Sequence, residues 1–275
     1  MTVFRPSPPA SLAPVQGWVI DMDGVLYHDT EPVPGAAELL AAFTDDGIPF
    51  TLLTNNSSLA PDQYSQKLAG MGIVVPEERI LTSALATAEY LERTASPGSP
   101  VYAIGGDGLM RALGDTQVRV TADYREARHV VVGLNRQLTF QHLQDAVLAI
   151  GAGAEFIATN PDLTLPTPLG QIPGNGAIVA AIEAATGRRP LMIGKPEPGI
   201  FHWACRQLGL PPDSVACLGD RLETDILGGH RAGMITVFVL SGVSTAEQWE
   251  EYEPRPSVSF RGPRELLEAW RQRRV

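Results

Sequence analysis

Four apolar runs in this 275-residue chain each end in a polar residue with a chemical use: WVID at Asp21, FTLLT at Thr54, LMIGK at Lys195 and VACLGD at Asp220. Read as neighbouring strands of one parallel sheet, they bring their carboxyl ends to a shared edge, which is where open α/β sheets bind ligands. Asp23 and Asp225 follow close behind, so the pocket gathers carboxylates around one ammonium and one hydroxyl. At an effective dielectric near 20, two carboxylates about 5 Å apart repel by roughly 3 kcal/mol. A divalent cation bound through oxygen relieves that repulsion, and Mg²⁺ is the ordinary choice.

Strand and helix patterns alternate around that pocket. A strand over Gly17–Met22 leads to a helix over Pro34–Asp46, where Leu39, Leu40 and Phe43 make one apolar face and Gly47 supplies the stop. Strand Ile48–Thr54 follows, then helices from Pro61 and over Ser83–Arg93. Alternation resumes with strand Leu191–Ile193, helix Pro198–Leu208, strand Val215–Leu218, helix Leu222–Ala232 and strand Ile235–Leu240. These stretches predict one doubly wound parallel sheet, over residues 16–96 and 189–275, interrupted by an insertion over 97–188. The insertion has its own alternation: strands Val101–Ile104, His129–Val132 and Phe156–Ala158, helices Thr139–Ile150 and Gly176–Ala185. Residues 1–15 are Pro-rich and read as a flexible lead-in.

Composition limits the partners. A formal charge of −10 argues against nucleic acid and anionic membranes, which need a basic surface. No apolar run reaches membrane-spanning length, and the N-terminus lacks a signal peptide's apolar core. Cys205 and Cys217 fall in element interiors as buried thiols, which fits a reducing cytoplasm. Among 21 basic residues only Lys67 and Lys195 are lysines, so position 195 keeps a compact ammonium in an arginine-rich chain.

The residue types at the strand ends suit phosphoryl transfer. Asp21 and Asp23 end a strand where Gly24 permits a sharp turn. One carboxylate can attack phosphorus to form an aspartyl phosphate, and one two residues on can protonate the departing oxygen and then activate water. Mg²⁺ and Lys195 neutralise the phosphoryl group; Thr54, Asn55 and Asn56 are candidates to hold its oxygens. Asp220 completes the metal shell, and Asp225 orients a metal-bound water or Lys195. The run Gly105-Gly106-Asp107-Gly108 lacks full dinucleotide-binding spacing and reads as a tight turn into a helix.

DMDGVLY, LLTNNSS, GKPEP and GDRLETD, in this order, resemble the four motifs of the haloacid dehalogenase superfamily of phosphohydrolases. DGVLYHDTEPVPGAAELL, PGNGAIVAAIEAATGRRP and FVLSGVS extend the likeness to its NagD-like and 4-nitrophenylphosphatase-like branch, over nearly all of the chain after Val15. The resemblance implies a Rossmann-like core, an inserted α/β cap and Mg²⁺-dependent hydrolysis of small phosphomonoesters: nucleoside monophosphates, sugar phosphates, phosphoglycolate or aryl phosphates. It makes Asp21 the nucleophile, Asp23 the acid/base with its backbone carbonyl on the metal, and Thr54 and Lys195 the second- and third-motif groups. Asp220 and Asp225 become the fourth-motif acids, Asp225 behind the metal. It also allows a homodimer formed through the cap. A phosphomutase or phosphotransferase would use the same chemistry with a substrate hydroxyl replacing water. A phospho-accepting signalling module would need neither Asp23 as acid/base nor an insertion of this size.

Overall fold

The run GWVI is buried at every position and forms the strand β1 (Gly17–Ile20), from which the first sheet is built outward on both sides. The computed structural model describes residues 8–167 and 169–272. After β1 come the short antiparallel pair β2 (Tyr27–His28) and β3 (Glu31–Pro32), α1 (Ala36–Asp45), β4 (Phe50–Thr54), α2 (Pro61–Gly70), β5 (Ile80–Thr82) and α3 (Ser83–Thr94). The middle of the chain carries β6 (Pro100–Ile104), α4 (Asp107–Gly114), β7 (Arg119–Val120), β8 (His129–Val132), α5 (Phe140–Gly151) and β9 (Glu155–Ala158). The hairpin of β10 (Thr164–Thr167) and β11 (Gly170–Pro173), α6 (Asn175–Thr186) and β12 (Leu191–Met192) complete it. The last part holds α7 (Pro198–Leu208), β13 (Val215–Gly219), a π-helical turn over Leu222–Ile226 running into α8 (Leu227–Arg231), β14 (Ile235–Val239), α9 (Ala246–Glu251), β15 (Val258–Phe260) and α10 (Pro263–Gln272).

These elements divide into two compact units. The first comprises the chain to Thr54, Tyr64–Leu81 and the chain from Lys195; the second comprises Asn55–Gln63 and Thr82–Gly194. The first unit contains a six-stranded sheet in the order β15-β14-β13-β1-β4-β5, with β1 parallel to both β4 and β13, and β14 parallel to β13 and β15. The chain runs outward from β1 through β4, then returns to β13 on the opposite side of β1. That reversal creates a switch point at the carboxyl ends of β4, β1 and β13, the place where open α/β sheets bind ligands. Trp18 of β1 stacks on Phe43 of α1 at 5.0 Å and meets Trp270 of α10 edge-on at 5.5 Å, which anchors one face of the sheet.

The second unit repeats the architecture at smaller scale, with a five-stranded parallel sheet in the order β12-β9-β8-β6-β7. Strand alternation feeds both faces. Val130, Val132 and Phe156 pack with Ile150 of α5 and Ile182 of α6. Val101, Val131 and Ile157 pack with Leu91 of α3 and Leu109 and Leu113 of α4. The fold is thus α/β, a doubly wound parallel sheet with a separate, smaller α/β unit.

Four expectations need correction. The LMI run is not a strand of the first sheet: β12 is an edge strand paired with β9 in the second, and Leu191 is 42% exposed, a position a central strand does not offer. The insertion begins earlier than residue 97, because Ala84, Ala88 and Leu91 of α3 bury their faces in the second unit's core. The lead-in does not extend to Val15, since Pro9–Leu12 form a 3₁₀ turn against α10 and Leu12 and Val15 are buried. Residues 1–7 lie outside the described residues. Finally, Asn160–Asn175 reads as a stiff Pro/Gly loop, yet Thr164–Thr167 and Gly170–Pro173 pair as a hairpin.

Candidate active site

Asp21 directly follows β1, Thr54 ends β4 and Asp220 directly follows β13, so three adjacent strands deliver the three residues to one edge. All three are buried. The Asp21 N–H continues the ladder by donating to the Leu218 carbonyl at 2.8 Å, which fixes where its side chain leaves the sheet. The chain then turns at Gly24, where φ is +85° and a Cβ would sit 2.6 Å from Asp220 Oδ2. Only glycine accepts both that dihedral and that proximity. A Cβ on Gly242 would likewise collide with Asp220 Oδ2, and this close approach lets the Val243 N–H donate to the same oxygen at 2.6 Å.

Lys195 enters from the loop after β12 and not from a strand of the first sheet. Its buried ammonium donates to Asp21 Oδ1 at 2.5 Å, to Asp225 Oδ1 at 2.6 Å and to the Leu53 carbonyl at 3.3 Å. Asp225 sits in the π-helical turn, and its Oδ2 accepts the Arg221 N–H at 3.2 Å. Departures of this kind from α-helical winding recur at functional sites, because they aim a side chain the regular helix would misplace. The structure therefore assigns Asp225 a direct partner, Lys195.

Electrostatics explain why this cluster is incomplete without a ligand. Burial pushes the Asp21 carboxyl well above the usual range; Lys195 opposes this, while Asp225 and Asp220 add to it. Burial, reinforced by Asp225, lifts Asp220 to about 7, against the Val243 N–H bond, Arg221 and Lys195. Burial alone would lower Lys195, yet Asp21 and Asp225 hold it above the usual lysine range. Asp21, Asp220 and Asp225 offer carboxylate oxygens within 4.8 Å of one another, and among the described residues Asp220 Oδ1, which is buried, has no hydrogen-bond partner. An oxygen-only donor set with an orphaned carboxylate oxygen fits a hard dication.

Asp23 is half-buried and accepts a hydrogen bond at Oδ2 from the Tyr27 hydroxyl at 3.3 Å. Burial raises its carboxyl, and Lys67, the Tyr27 bond, Lys195 and Arg221 oppose that rise. Asn55 and Asn56 fall in the second unit. The Asn55 carbonyl accepts from Ser83 Oγ and Asn160 Nδ2, its side chain donates to Asp162 at 3.3 Å, and Asn56 Oδ1 accepts from the Ser58 N–H and hydroxyl. Sequence reasoning missed the Val243 N–H, Tyr27 and Lys67. A backbone donor has no residue signature; Tyr27 and Lys67 left the faint ones of a buried phenol four residues from an acid and a rare lysine.

A doubly wound sheet that gathers unneutralised carboxylates and one buried lysine at its switch point is the architecture of a Rossmann-like hydrolase handling phosphate esters. Residues 18–119 match the haloacid dehalogenase-like hydrolase family and residues 192–262 match the HAD-hydrolase-like family. An acid sugar phosphatase of Staphylococcus aureus is 40% identical over 252 residues, 92% of this chain and 96% of the relative. NagD from E. coli superposes with a TM-score of 0.85 at 36% identity, covering 91% of this chain and 98% of the other. A glycerol phosphate phosphatase from Mycobacterium tuberculosis, solved in complex with magnesium, gives 0.88 at 32% identity, covering 94% and 78%. The chain belongs to the haloacid dehalogenase-like hydrolase family, and as an enzyme it is a phosphoric monoester hydrolase.

Proposed function

We propose that this enzyme is a Mg²⁺-dependent phosphatase of small cytoplasmic phosphomonoesters that works through an aspartyl phosphate on Asp21. The observation that carries the reading is the buried Lys195 ammonium held between Asp21 and Asp225, beside an Asp220 carboxyl with an unpartnered oxygen. Asp21 attacks phosphorus, Asp23 gives its proton to the departing ester oxygen, and Lys195 offsets the charge on the phosphoryl oxygens. Thr54 and the Asn55–Asn56 turn bind the remaining phosphoryl oxygens. Asp23 then takes a proton from the water that releases phosphate from Asp21. Asp21, Asp220 and the Asp23 carbonyl would hold Mg²⁺, with Asp225 behind them, and the ion supplies Lewis-acid neutralisation of the phosphoryl group. A bound dication would offset the burial and the Asp225 charge that lift the Asp220 carboxyl.

The second unit serves as a cap, and the apolar β10–β11 hairpin, with Leu163 and Leu169 exposed, contributes to substrate choice. Sugar phosphates and glycerol phosphate head the candidate substrates, after the named relatives. The buried free thiols of Cys205 and Cys217 suit a reducing compartment. Phosphate release from a panel of phosphorylated metabolites in water, with acid-quench trapping of the phosphoenzyme, tests the reading. Turnover only with an added acceptor alcohol would replace hydrolysis by phosphoryl transfer, and absence of a trapped phosphoenzyme would remove Asp21 as nucleophile.

A further inference from the structure

Tyr27 is fully buried and closes the tight turn that follows Asp23: the Gly24 N–H donates to the Tyr27 carbonyl at 2.9 Å, and the phenol hydroxyl reaches back to Asp23 Oδ2 at 3.3 Å. Over the ring of Tyr27 lies the Lys67 ammonium of α2, 4.0 Å from the centroid. The three groups form a relay of charge, ring and hydroxyl that ends on one oxygen of Asp23. We propose that Tyr27 and Lys67 are positioning residues for proton transfer by Asp23, the hydroxyl locking the carboxyl so that Oδ1 carries the proton to the leaving group. This inference rests on the acid/base role given to Asp23 above.

A half-buried carboxyl with neither oxygen held rotates and offers its proton in two directions; a donor fixed on Oδ2 ends that equivalence. The burial of Tyr27 and its place in the turn keep the donor from wandering with its acceptor. An ammonium over a phenol face draws on the ring's electron density, which strengthens the O–H as a donor. Lys67 also shares with Lys195 the distinction of being the chain's only two lysines, and both lie beside the site's carboxylates.

The Asp21–phosphorus bond forms as the ester P–O bond breaks, and the proton on Asp23 Oδ1 passes to the departing oxygen, leaving an alcohol and an Asp23 carboxylate. Tyr27 donates to that carboxylate, and Lys67 stabilises it from across the ring. Water then attacks phosphorus, its proton returns to Asp23 Oδ1, and phosphate leaves Asp21.

The test compares an ester that needs a proton donor with one that does not. Phosphoenzyme formation is followed in a single turnover with glycerol phosphate, whose alkoxide leaves poorly, and with 4-nitrophenyl phosphate, whose phenolate leaves well. Tyr27→Phe should slow the first by roughly tenfold and the second by less than about twofold, a fraction of the full effect of a general acid. Lys67→Met should show the same pattern more weakly, and Lys67→Arg, which keeps a cation over the ring, should stay near the parent. Equal losses on both esters in Tyr27→Phe and Lys67→Met would overturn the inference, as would an undiminished rate on glycerol phosphate. A parent enzyme that forms phosphoenzyme with neither ester would instead strike at the phosphatase mechanism itself.

Discussion

Both units are parallel α/β sheets, and both collect polar residues at the carboxyl ends of their strands, yet the two collections behave oppositely. In the second unit the buried polar groups are uncharged amides and hydroxyls that hydrogen-bond one another, with only Asn175 Oδ1 left without a partner among the described residues. Asn160 Nδ2 donates to the Asn55 carbonyl at 2.8 Å, Asn175 Nδ2 donates to the Asn160 carbonyl at 2.8 Å and to the Val132 carbonyl at 3.3 Å, and Thr159 Oγ1 donates to Ser57 Oγ at 3.3 Å. In the first unit the corresponding place holds Asp21, Asp220, Asp225 and Lys195, three carboxylates to one ammonium. An uncharged network can leave one amide oxygen unmet and still rigidify the fold; an excess of like charge cannot be left so, and that unmet charge is the capacity to bind. Topology supplies the edge in both, and residue type decides whether that edge is structure or site.

The contrast breaks hardest at Asp21. Asp21→Asn should lower phosphate release by about 10³-fold or more and eliminate the trapped phosphoenzyme, because the amide cannot attack phosphorus. Removal of divalent ions with EDTA should have a similar effect, reversed by Mg²⁺ and poorly by Ca²⁺, whose looser coordination spoils the alignment. Full turnover in excess EDTA would show that the charged edge closes unaided, and the comparison would lose its basis.

A smaller effect concerns pH. The Asp220 carboxyl is lifted to about 7 in the fold, so the native state holds a proton that the unfolded chain releases near its ordinary pKa of about 4. Its contribution to stability is therefore fully present below about pH 4 and is lost as pH rises through about 7. In EDTA, the parent should lose on the order of a few kcal/mol across this window that Asp220→Asn does not lose. Denaturant titrations at a series of pH values measure this, and superimposable curves for parent and variant would refute it.

The second unit should answer in stability and not in chemistry. Asn175→Ala strips the Asn160 and Val132 carbonyls of a buried donor, at a cost of about 1–3 kcal/mol. Equilibrium unfolding should show that loss while kcat on 4-nitrophenyl phosphate holds; a fall in kcat without a change in stability would make this network part of the site. Smallest of all is Leu165→Ala on the β10–β11 hairpin. It should reorder kcat/KM severalfold across esters of different size and leave acetyl phosphate nearly unchanged, whereas one common factor for all substrates would deny the hairpin a role in selection.

Much of the first unit was legible because its signals are local. Fully apolar runs ending in Asp21, Thr54 and Asp220 announce buried parallel strands, and a charged residue after such a run has few other reasons to be there. Asp225 and Lys195 were legible as members of the cluster, since four ordered motifs leave little freedom in their roles. LMIGK misled because a three-residue apolar run looks alike in a central and an edge strand; only pairing partners distinguish them, and β12 pairs with β9. The division at α3 was hidden for a similar reason, since an amphipathic helix shows that it has a buried face but not what lies against it.

The sequence by itself determined the class of fold, the strand-end acids and the chemistry they suit, because periodicity and residue type are properties of short stretches of chain. Tertiary structure alone decided that Lys195 bridges Asp21 to Asp225, that Asp220 keeps one oxygen unpartnered, and that Tyr27 and Lys67 stand behind Asp23. Hydrogen bonds and charge interactions act over a few ångströms in space, and folding sets those distances between residues as far apart as 21 and 195 with no trace in the local pattern.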